Sequence, residues 1–107
     1  MARALANVLR RVRALAVERR VRFTLKALRE LASLGLDAED ACETLEGLRA
    51  SDFVRRLVSE RTGEWMHVFK PRVGEVSIYL KLVLRDGCLI VSFHEDENGN
   101  DDHEESA

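Results

Sequence analysis

Three residues in the second half of the chain, Tyr79, Lys81 and His94, have the side-chain types that proton transfer and phosphate binding require. Cleavage of RNA without a metal ion needs a base for the 2′-hydroxyl, cations that stabilise the phosphorane and an acid for the leaving 5′-oxygen. Histidine exchanges protons near neutral pH, so His94 suits the acid or the base role. Lysine supplies a point charge for phosphate. These residue types therefore indicate acid–base cleavage of RNA, provided that the fold brings them together.

An Asp86-Gly87 pair predicts that the fold does so. This dipeptide is the strongest short signal for a β-hairpin, because a type I′ turn needs positive φ at both central positions. A two-residue loop pairs Lys81 with Ser92, and Tyr79 with His94, on one face of the sheet. The opposite face is uniformly apolar and is expected to be core; its pairs are Leu84–Leu89, Leu82–Val91 and Leu80–Phe93. The alternative is a solvated polar face without chemistry, because water touches the outward face of most antiparallel sheets.

Further cationic residues lie in the strand that precedes this hairpin. Arg72 follows Pro71, whose ring fixes the turn that presents it, and an arginine can contact phosphate through two N–H groups. Lys70 and His67 are grouped with Arg72 as residues that contact RNA in this interpretation. His67 shares a strand face with Trp65, which is expected in the core. A partly buried structural role is therefore favoured over a catalytic one for this histidine.

Periodicity predicts helices first and strands afterwards. Apolar residues at helical spacing predict three helices, over residues 5–16, 24–35 and 37–47 with their caps and stops. A short strand is expected at 21–23 and a short helical turn at 51–58. After Gly63 the period changes to two, which predicts strands at 64–70, 75–85 and 88–94. The fold class is therefore α+β, with amino-terminal helices packed on an antiparallel β-sheet.

Length and composition are those of one globular domain. The chain has 107 residues, of which 46% are hydrophobic and 34% charged. Residues 1–94 are expected to form the domain, and residues 95–107 an acidic, flexible tail. The first residues lack the unbroken apolar segment of a secretory signal or a membrane span, so we expect a cytoplasmic protein. Cys42 and Cys88 lack the spacing of zinc ligands, so buried reduced thiols, no metal and no cofactor are expected.

The charges are unevenly distributed along the chain. Residues 1–29 hold nine basic residues and one acidic residue, whereas residues 94–107 hold seven acidic residues and no lysine or arginine. A basic segment is the electrostatic signature of a polyanion partner. A solvated helix face has the same composition, and the sequence leaves both interpretations open.

Five segments of the chain resemble the MqsR family of bacterial toxins, which are mRNA interferases with the RelE-like ribonuclease toxin fold. The segments are "LGLD" at 34–37, "GLRASDF" at 47–53, "WMHVFKPR" at 65–72, "VSIYLKL" at 76–82 and "LIVSF" at 89–93. They follow the order and the spacing of the family. The resemblance implies an endoribonuclease that acts on mRNA. It also implies a hetero-oligomer with a cognate antitoxin, which in this family binds zinc and contacts DNA.

The family's proposed active site uses four positions, and the resemblance carries them onto this chain. They are a Lys shortly after "SDF", a Gln directly after the Trp, the Tyr of the "YLK" strand and a Lys after the final "SF"; here they hold Arg55, Met66, Tyr79 and His94. Arg55 keeps a phosphate-binding charge, and His94 is a better proton donor than Lys near neutral pH. Met66 cannot replace an amide.

The resulting hypothesis is a metal-independent endoribonuclease toxin that cleaves mRNA through attack of the 2′-hydroxyl. Arg55, Arg72 and Lys81 hold the phosphate, Tyr79 orients or activates the 2′-hydroxyl, and His94 transfers the proton.

Two other functions stay open at this point. Met66 at the Gln position fits a catalytically silent module that binds RNA or an antitoxin. The basic first helix fits a DNA-binding regulator that uses Arg10, Arg11 and Arg13.

Overall fold

The computed structural model describes residues 2–97, which form three α-helices and six β-strands. The helices are α1 (Ala2–Val17), α2 (Leu25–Ser33) and α3 (Ala38–Glu46). The strands are β1 (Val21–Phe23), β2 (Phe53–Val58), β3 (Trp65–Phe69), β4 (Arg72–Val73), β5 (Val76–Leu84) and β6 (Cys88–Glu95). The predicted α+β class is confirmed, because the helices pack on a β-sheet.

The sheet has the strand order β1-β6-β5-β3-β2, with β4 paired to β5. Its pairs are antiparallel except for β1 and β6, which run parallel with Val21 opposite Cys88. Parallel strands need a long connection, and here all of α2, α3 and the four intervening strands lie between the two. The sheet is therefore mixed at this edge and antiparallel elsewhere.

The expected helical turn at 51–58 is wrong beyond its first residues. A short 3₁₀ turn covers Ala50–Asp52, and Phe53–Val58 forms strand β2, paired antiparallel with β3. The apolar residues Phe53, Val54, Leu57 and Val58 fit a helical period as well as an extended one. Pairing with β3, which no local pattern signals, decides between the two.

The core lies between the helices and one face of the sheet. Each helix contributes apolar residues, and the sheet contributes alternate residues of its central strands: Leu9, Val12, Leu15 and Ala16 of α1, Ala27 and Leu31 of α2, Ala41 and Leu45 of α3, Phe69 of β3, Ile78, Leu80 and Leu82 of β5, and Cys88, Ile90 and Phe93 of β6. The apolar period of the second helix predicts Leu25, Leu28, Leu31 and Ala32 on its buried side. This prediction is wrong apart from Leu31, because Leu25 and Leu28 are 62% and 44% exposed and Ala27 is buried instead. The predicted caps are also present, since the Thr24 hydroxyl accepts the Ala27 N–H and Asp37 forms a capping box with Asp40. Both cysteines are buried and free, as predicted.

The β5–β6 hairpin turns through three residues, not the predicted two. Leu84 pairs with Cys88, so Arg85, Asp86 and Gly87 form the loop. Asp86 and Gly87 have φ values of +51° and +113°. A Cβ atom on Gly87 would lie 3.0 Å from a backbone oxygen of the preceding α1–β1 turn, so glycine is required there by close approach as well as by conformation. The predicted pairs Leu84–Leu89 and Leu82–Val91 are therefore wrong.

A β-bulge at Val91 restores the predicted register along the rest of the hairpin. Beyond it the pairs are Lys81–Ser92, Leu80–Phe93 and Tyr79–His94, as predicted. A one-residue shift carries every later side chain of a strand to the other face of the sheet. The extra residue in the bulge cancels the extra residue in the loop. His94 therefore lies on the face opposite the helical core, which we call the outward face.

The carboxyl-terminal segment continues the fold past the expected boundary at residue 94. Strand β6 runs to Glu95, and the Asp96 N–H donates to the Ser77 carbonyl at 2.8 Å. The remainder of the expected tail, from residue 98, lies outside the described residues. Over residues 2–97, none of the helices combines the length and the apolar character needed to cross a membrane.

Candidate active site

The basic residues around β4 lie on the outward face. Strands β3 and β4 pair with β5 in one continuous register. The ladder is interrupted at Pro71, which has no N–H, although its carbonyl accepts the Ile78 N–H at 2.8 Å. Lys70 and Arg72 flank this proline, and strand alternation places both on the same face as Tyr79. The predicted turn therefore presents Arg72 on that face.

Tyr79 and His94 form a stacked pair, as their register implies. The ring centroids are 5.1 Å apart and the ring planes differ by 8°. Tyr79 is 3% exposed, so its ring supports the more exposed imidazole. The His94 Nδ1 atom lies 2.9 Å from the Glu95 carbonyl oxygen, and a carbonyl can only accept. A neutral ring that donates to this carbonyl has its proton on Nδ1 and presents Nε2 as an acceptor.

Two more cations share the outward face. Arg55 of β2 is opposite Val68, which is opposite Lys81 of β5. Two strand spacings, about 9.5 Å, thus separate Arg55 from Lys81. The Lys81 Nζ atom lies 6.0 Å from the centre of the Tyr79 ring. The residues predicted to be catalytic, Tyr79, His94, Arg55 and Lys81, all lie on this one face.

Lys70 forms an ion pair with Asp96 of the carboxyl-terminal segment. Its Nζ atom lies 3.4 Å from a carboxylate oxygen of Asp96, and the two side chains are 17% and 5% exposed. Desolvation of two buried charges offsets much of their mutual attraction. The pair therefore fixes the position of the two side chains more than it raises the free energy of unfolding. Lys70 therefore contacts an RNA phosphate only in competition with Asp96. In the sequence, Asp96 is one residue of an acidic run, and no motif indicates its contact with Lys70.

Helix α2 holds the part of β6 that carries His94. Strand β1 ends opposite Ile90. Beyond that point, side chains of α2 form hydrogen bonds with the edge of β6. The Glu30 carboxylate accepts the Phe93 N–H at 2.8 Å, and the Lys26 ammonium donates to the Ser92 hydroxyl at 2.9 Å. Lys26 also pairs with Glu30 at 2.9 Å. The i,i+4 spacing of these two charges is visible in the sequence, but it predicts only a helix-surface pair.

His67 does not join the residues of the outward face. It is opposite Arg56 in β2, is 7% exposed, and lines a small cavity with Leu5 and Val8 of α1. Burial, together with the positive charge of Arg56, lowers the pKa of His67. These features agree with the partly buried structural role favoured from the sequence. They separate His67 from Lys70 and Arg72, with which it was grouped as an RNA contact.

His67 is expected to make the free energy of unfolding depend on pH. Because its pKa is lower in the folded chain than in the unfolded chain, the unfolded chain binds the proton first as the pH falls. This contribution to stability is complete above the pKa of the unfolded chain, about 6.5, and is lost as the pH falls through and below that value. Urea unfolding at about pH 7.5 and about pH 5.5 should show a larger loss in wild type than in His67→Gln. An equal loss in both proteins would contradict the assignment.

The residues before His67 also differ from expectation. Trp65 is 50% exposed and does not belong to the core. The Arg56 guanidinium lies 4.2 Å from the centre of its ring, in a cation–π contact at the edge of the sheet. Met66 is opposite Leu57 and points to the outward face, at the far end of β3 from Lys70.

Two comparisons with known proteins bear on this arrangement. A family model described as "Motility quorum-sensing regulator, toxin of MqsA" matches residues 6–95. The chain belongs to the MqsR toxin family. The mRNA interferase toxin MqsR of Escherichia coli (strain K12) is 39% identical over 77 residues, which are 70% of this chain and 78% of that protein. The family match includes every strand of the outward face and ends one residue before Asp96.

The MqsR resemblance assigned four positions to an active site, and the structure places all four on the outward face. Tyr79 and His94 are stacked on one another, whereas Arg55 lies two strands from Tyr79 on the edge strand β2. Met66 shares that face but lies beyond Val68, away from the stacked rings. Among residues 2–97, the His, Cys, Asp and Glu side chains form no group of three or more that could hold a metal ion.

Proposed function

We propose that this MqsR family chain is an mRNA endoribonuclease toxin that acts from the outward face of its sheet. The observation that carries the proposal is the stacked Tyr79–His94 pair, with Lys81, Arg55, Lys70 and Arg72 on the same face. A histidine that exchanges protons, set among cations, is what metal-independent cleavage of RNA requires. The name of the Escherichia coli relative, an mRNA interferase toxin, supports the same activity.

The proposed reaction is a transesterification within the RNA. The 2′-hydroxyl gives its proton to a base and its oxygen attacks the adjacent phosphorus, the bond from phosphorus to the 5′-oxygen breaks, and the 5′-oxygen takes up a proton. The products are a 2′,3′-cyclic phosphate and a 5′-hydroxyl end. His94 transfers the proton through Nε2, because Nδ1 is held by the Glu95 carbonyl. Arg55, Lys81 and Arg72 stabilise the negative charge that builds up on the phosphorane oxygens.

Purified protein and a defined RNA test this function. Cleavage is expected to continue in excess EDTA and to leave 2′,3′-cyclic phosphate and 5′-hydroxyl ends, both identified by mass spectrometry. Ends that carry a 5′-phosphate, or activity that EDTA removes and Mg²⁺ restores, would refute the proposed chemistry. Sequencing of RNA ends after expression in a bacterial host extends the test to mRNA.

Tyr79 acts mainly by positioning His94 in this proposal, since its ring is buried beneath the imidazole. Tyr79→Phe keeps the stacking ring and is expected to retain most of the cleavage rate, whereas Tyr79→Ala is expected to lower the rate by at least about tenfold. The pH profile of kcat is expected to stay unchanged in Tyr79→Phe and to shift in Tyr79→Ala. A loss in Tyr79→Phe as large as that in Tyr79→Ala would instead assign proton transfer to the hydroxyl.

The proposed partners are mRNA and an antitoxin. The family description names MqsR proteins as toxins of MqsA, and we extend this relation to the present chain. The expected antitoxin binds zinc and contacts DNA, so that any zinc in the hetero-oligomer belongs to the partner. The proposed location is the cytoplasm, where mRNA is translated.

The structure weakens the DNA-binding alternative. One of its three arginines, Arg13, donates to the Leu48 carbonyl and so attaches α1 to the end of α3. Elsewhere in the basic segment, Arg19 pairs with Glu39 and Glu46 of α3. Arg13 and Arg19 are therefore engaged within the fold, whereas Arg10 and Arg11 are exposed.

A further inference from the structure

A groove of about 250 Å³ lies on the outward face beside the candidate active site. Its floor is apolar and is formed by Met66 of β3, Val83 of β5, and Leu89 and Val91 of β6. Outward faces of such sheets are usually polar, because water touches them. Here three of the four floor residues, Met66, Leu89 and Val91, are partly exposed. An apolar surface of this kind next to a catalytic cluster is typical of a ligand site.

The groove has polar walls that are held in place by hydrogen bonds. Arg61 and Thr62 come from the β2–β3 loop, which is closed by a bond of 2.8 Å from the Ser59 N–H to the Glu64 carbonyl. The Arg85 guanidinium donates to the Glu64 carboxylate at 2.8 Å and joins the two loops at this end of the sheet. The groove therefore exists before any ligand binds.

The floor of the groove continues the cationic cluster along the same strands. Lys81 precedes Val83 by two residues on β5, a distance of about 6.7 Å along a strand. Ser92, which is opposite Lys81, directly follows Val91. Arg61 is exposed at the other end. Positive charge thus lies at both ends of an apolar floor, which suits a nucleic-acid strand whose phosphates alternate with bases.

We propose that this groove binds a nucleobase of the RNA substrate close to the phosphate that lies at His94, since Val83 of the floor is four residues, about 13 Å, along β5 from Tyr79. The inference rests on the proposed ribonuclease function. A base has an apolar face and a polar edge. The face lies on the floor, where the Met66 sulfur is polarizable and suited to contact with a flat ring. The edge reaches the hydroxyl of Thr62 and the guanidinium of Arg61. The groove therefore selects one base near the cleaved bond.

Leu89→Glu tests the proposal, because it places a carboxylate on the floor. The matched control is Val58→Glu, the same change at an exposed valine that faces the other side of the sheet. With an RNA that extends to both sides of the cleaved bond, Leu89→Glu is expected to raise KM about tenfold or more and to leave kcat nearly unchanged. In a random RNA pool, it is also expected to even out the base frequencies at one flanking position. If Leu89→Glu does not fold, KM and base frequencies are measured with Leu89→Ala, which only reduces the apolar area of the floor.

The outcomes of these experiments distinguish a failure of the groove proposal from a failure of the proposed ribonuclease function. If wild type cleaves RNA and Leu89→Glu keeps its KM and its base frequencies, the groove proposal is overturned and the function stands. If wild type cleaves no RNA, the function fails, and binding of a 2′-deoxy oligonucleotide then tests the groove alone. Loss of that binding in Leu89→Glu but not in Val58→Glu supports the groove, and equal binding overturns it. If Leu89→Glu cleaves RNA like wild type but is no longer inhibited by the antitoxin, the groove binds the antitoxin, and the proposal is overturned.

Discussion

Replacement of His94 with alanine is expected to lower the rate of RNA cleavage by about 10²- to 10⁴-fold while the chain stays folded. The expected loss is that of a general acid or base, which is the role proposed for the imidazole. The substitution leaves Arg55, Lys81 and Arg72 in place, so the affinity for RNA is expected to change much less than kcat. Initial rates on a defined RNA, together with binding of a 2′-deoxy analogue, separate the two quantities.

His67→Gln is the matched control for this experiment. It removes a second histidine of the same sheet, from the face that packs on α1, and is expected to leave kcat close to the wild-type value. The circular dichroism of both variants shows whether they are folded. A folded His94→Ala protein that cleaves RNA and arrests growth as strongly as wild type would remove His94 from the mechanism. The catalytically silent module, motivated by Met66, predicts instead that wild type and His94→Ala are equally inactive on RNA.

Replacement of Phe93 with alanine is expected to lower the free energy of unfolding by about 3–5 kcal/mol. Phe93 is completely buried, packs on the core face of the sheet opposite Leu80, and directly precedes His94. The loss combines the hydrophobic transfer energy of the ring with the cost of the cavity that remains. Because a domain of this size is stabilised by only about 5–15 kcal/mol, the variant is expected to unfold at a clearly lower urea concentration.

Val58→Ala is the control for stability. Val58 lies on the edge strand β2 and is half exposed, so its truncation is expected to cost less than about 1 kcal/mol. Equilibrium unfolding in urea measures both variants under the same conditions. Equal midpoints for Phe93→Ala and wild type would show that the core does not extend under the site as described.

The predicted pairing of Tyr79 with His94 was confirmed through two departures that cancel. The loop is one residue longer than the Asp86-Gly87 signal predicts, and the bulge at Val91 adds one residue to the facing strand. Alternation alone therefore predicted the correct face, although the pairs next to the loop were wrong. A bulge of this kind has no sequence motif, because it depends on how two strands fit together.

The residues that the sequence did not reveal share one property. Lys26, Glu30 and Asp96 meet their partners across large separations in the chain: 66 residues to Ser92, 63 to Phe93 and 26 to Lys70. Local propensity carries no information about such contacts. The same reason explains why β2 was taken for a helical turn and why the parallel pairing of β1 with β6 was not predicted.

The sequence by itself determined that three helices precede most of the sheet, the apolar stripe of the first helix and the face shared by Tyr79, Lys81 and His94. These features follow from periods of 3.6 and 2, which the backbone geometry imposes on any chain. The tertiary structure alone decided that Asp96 pairs with Lys70 and that an apolar groove continues the cationic cluster. These features depend on packing between segments far apart in sequence, where the free energy of burial and charge pairing outweighs local preference.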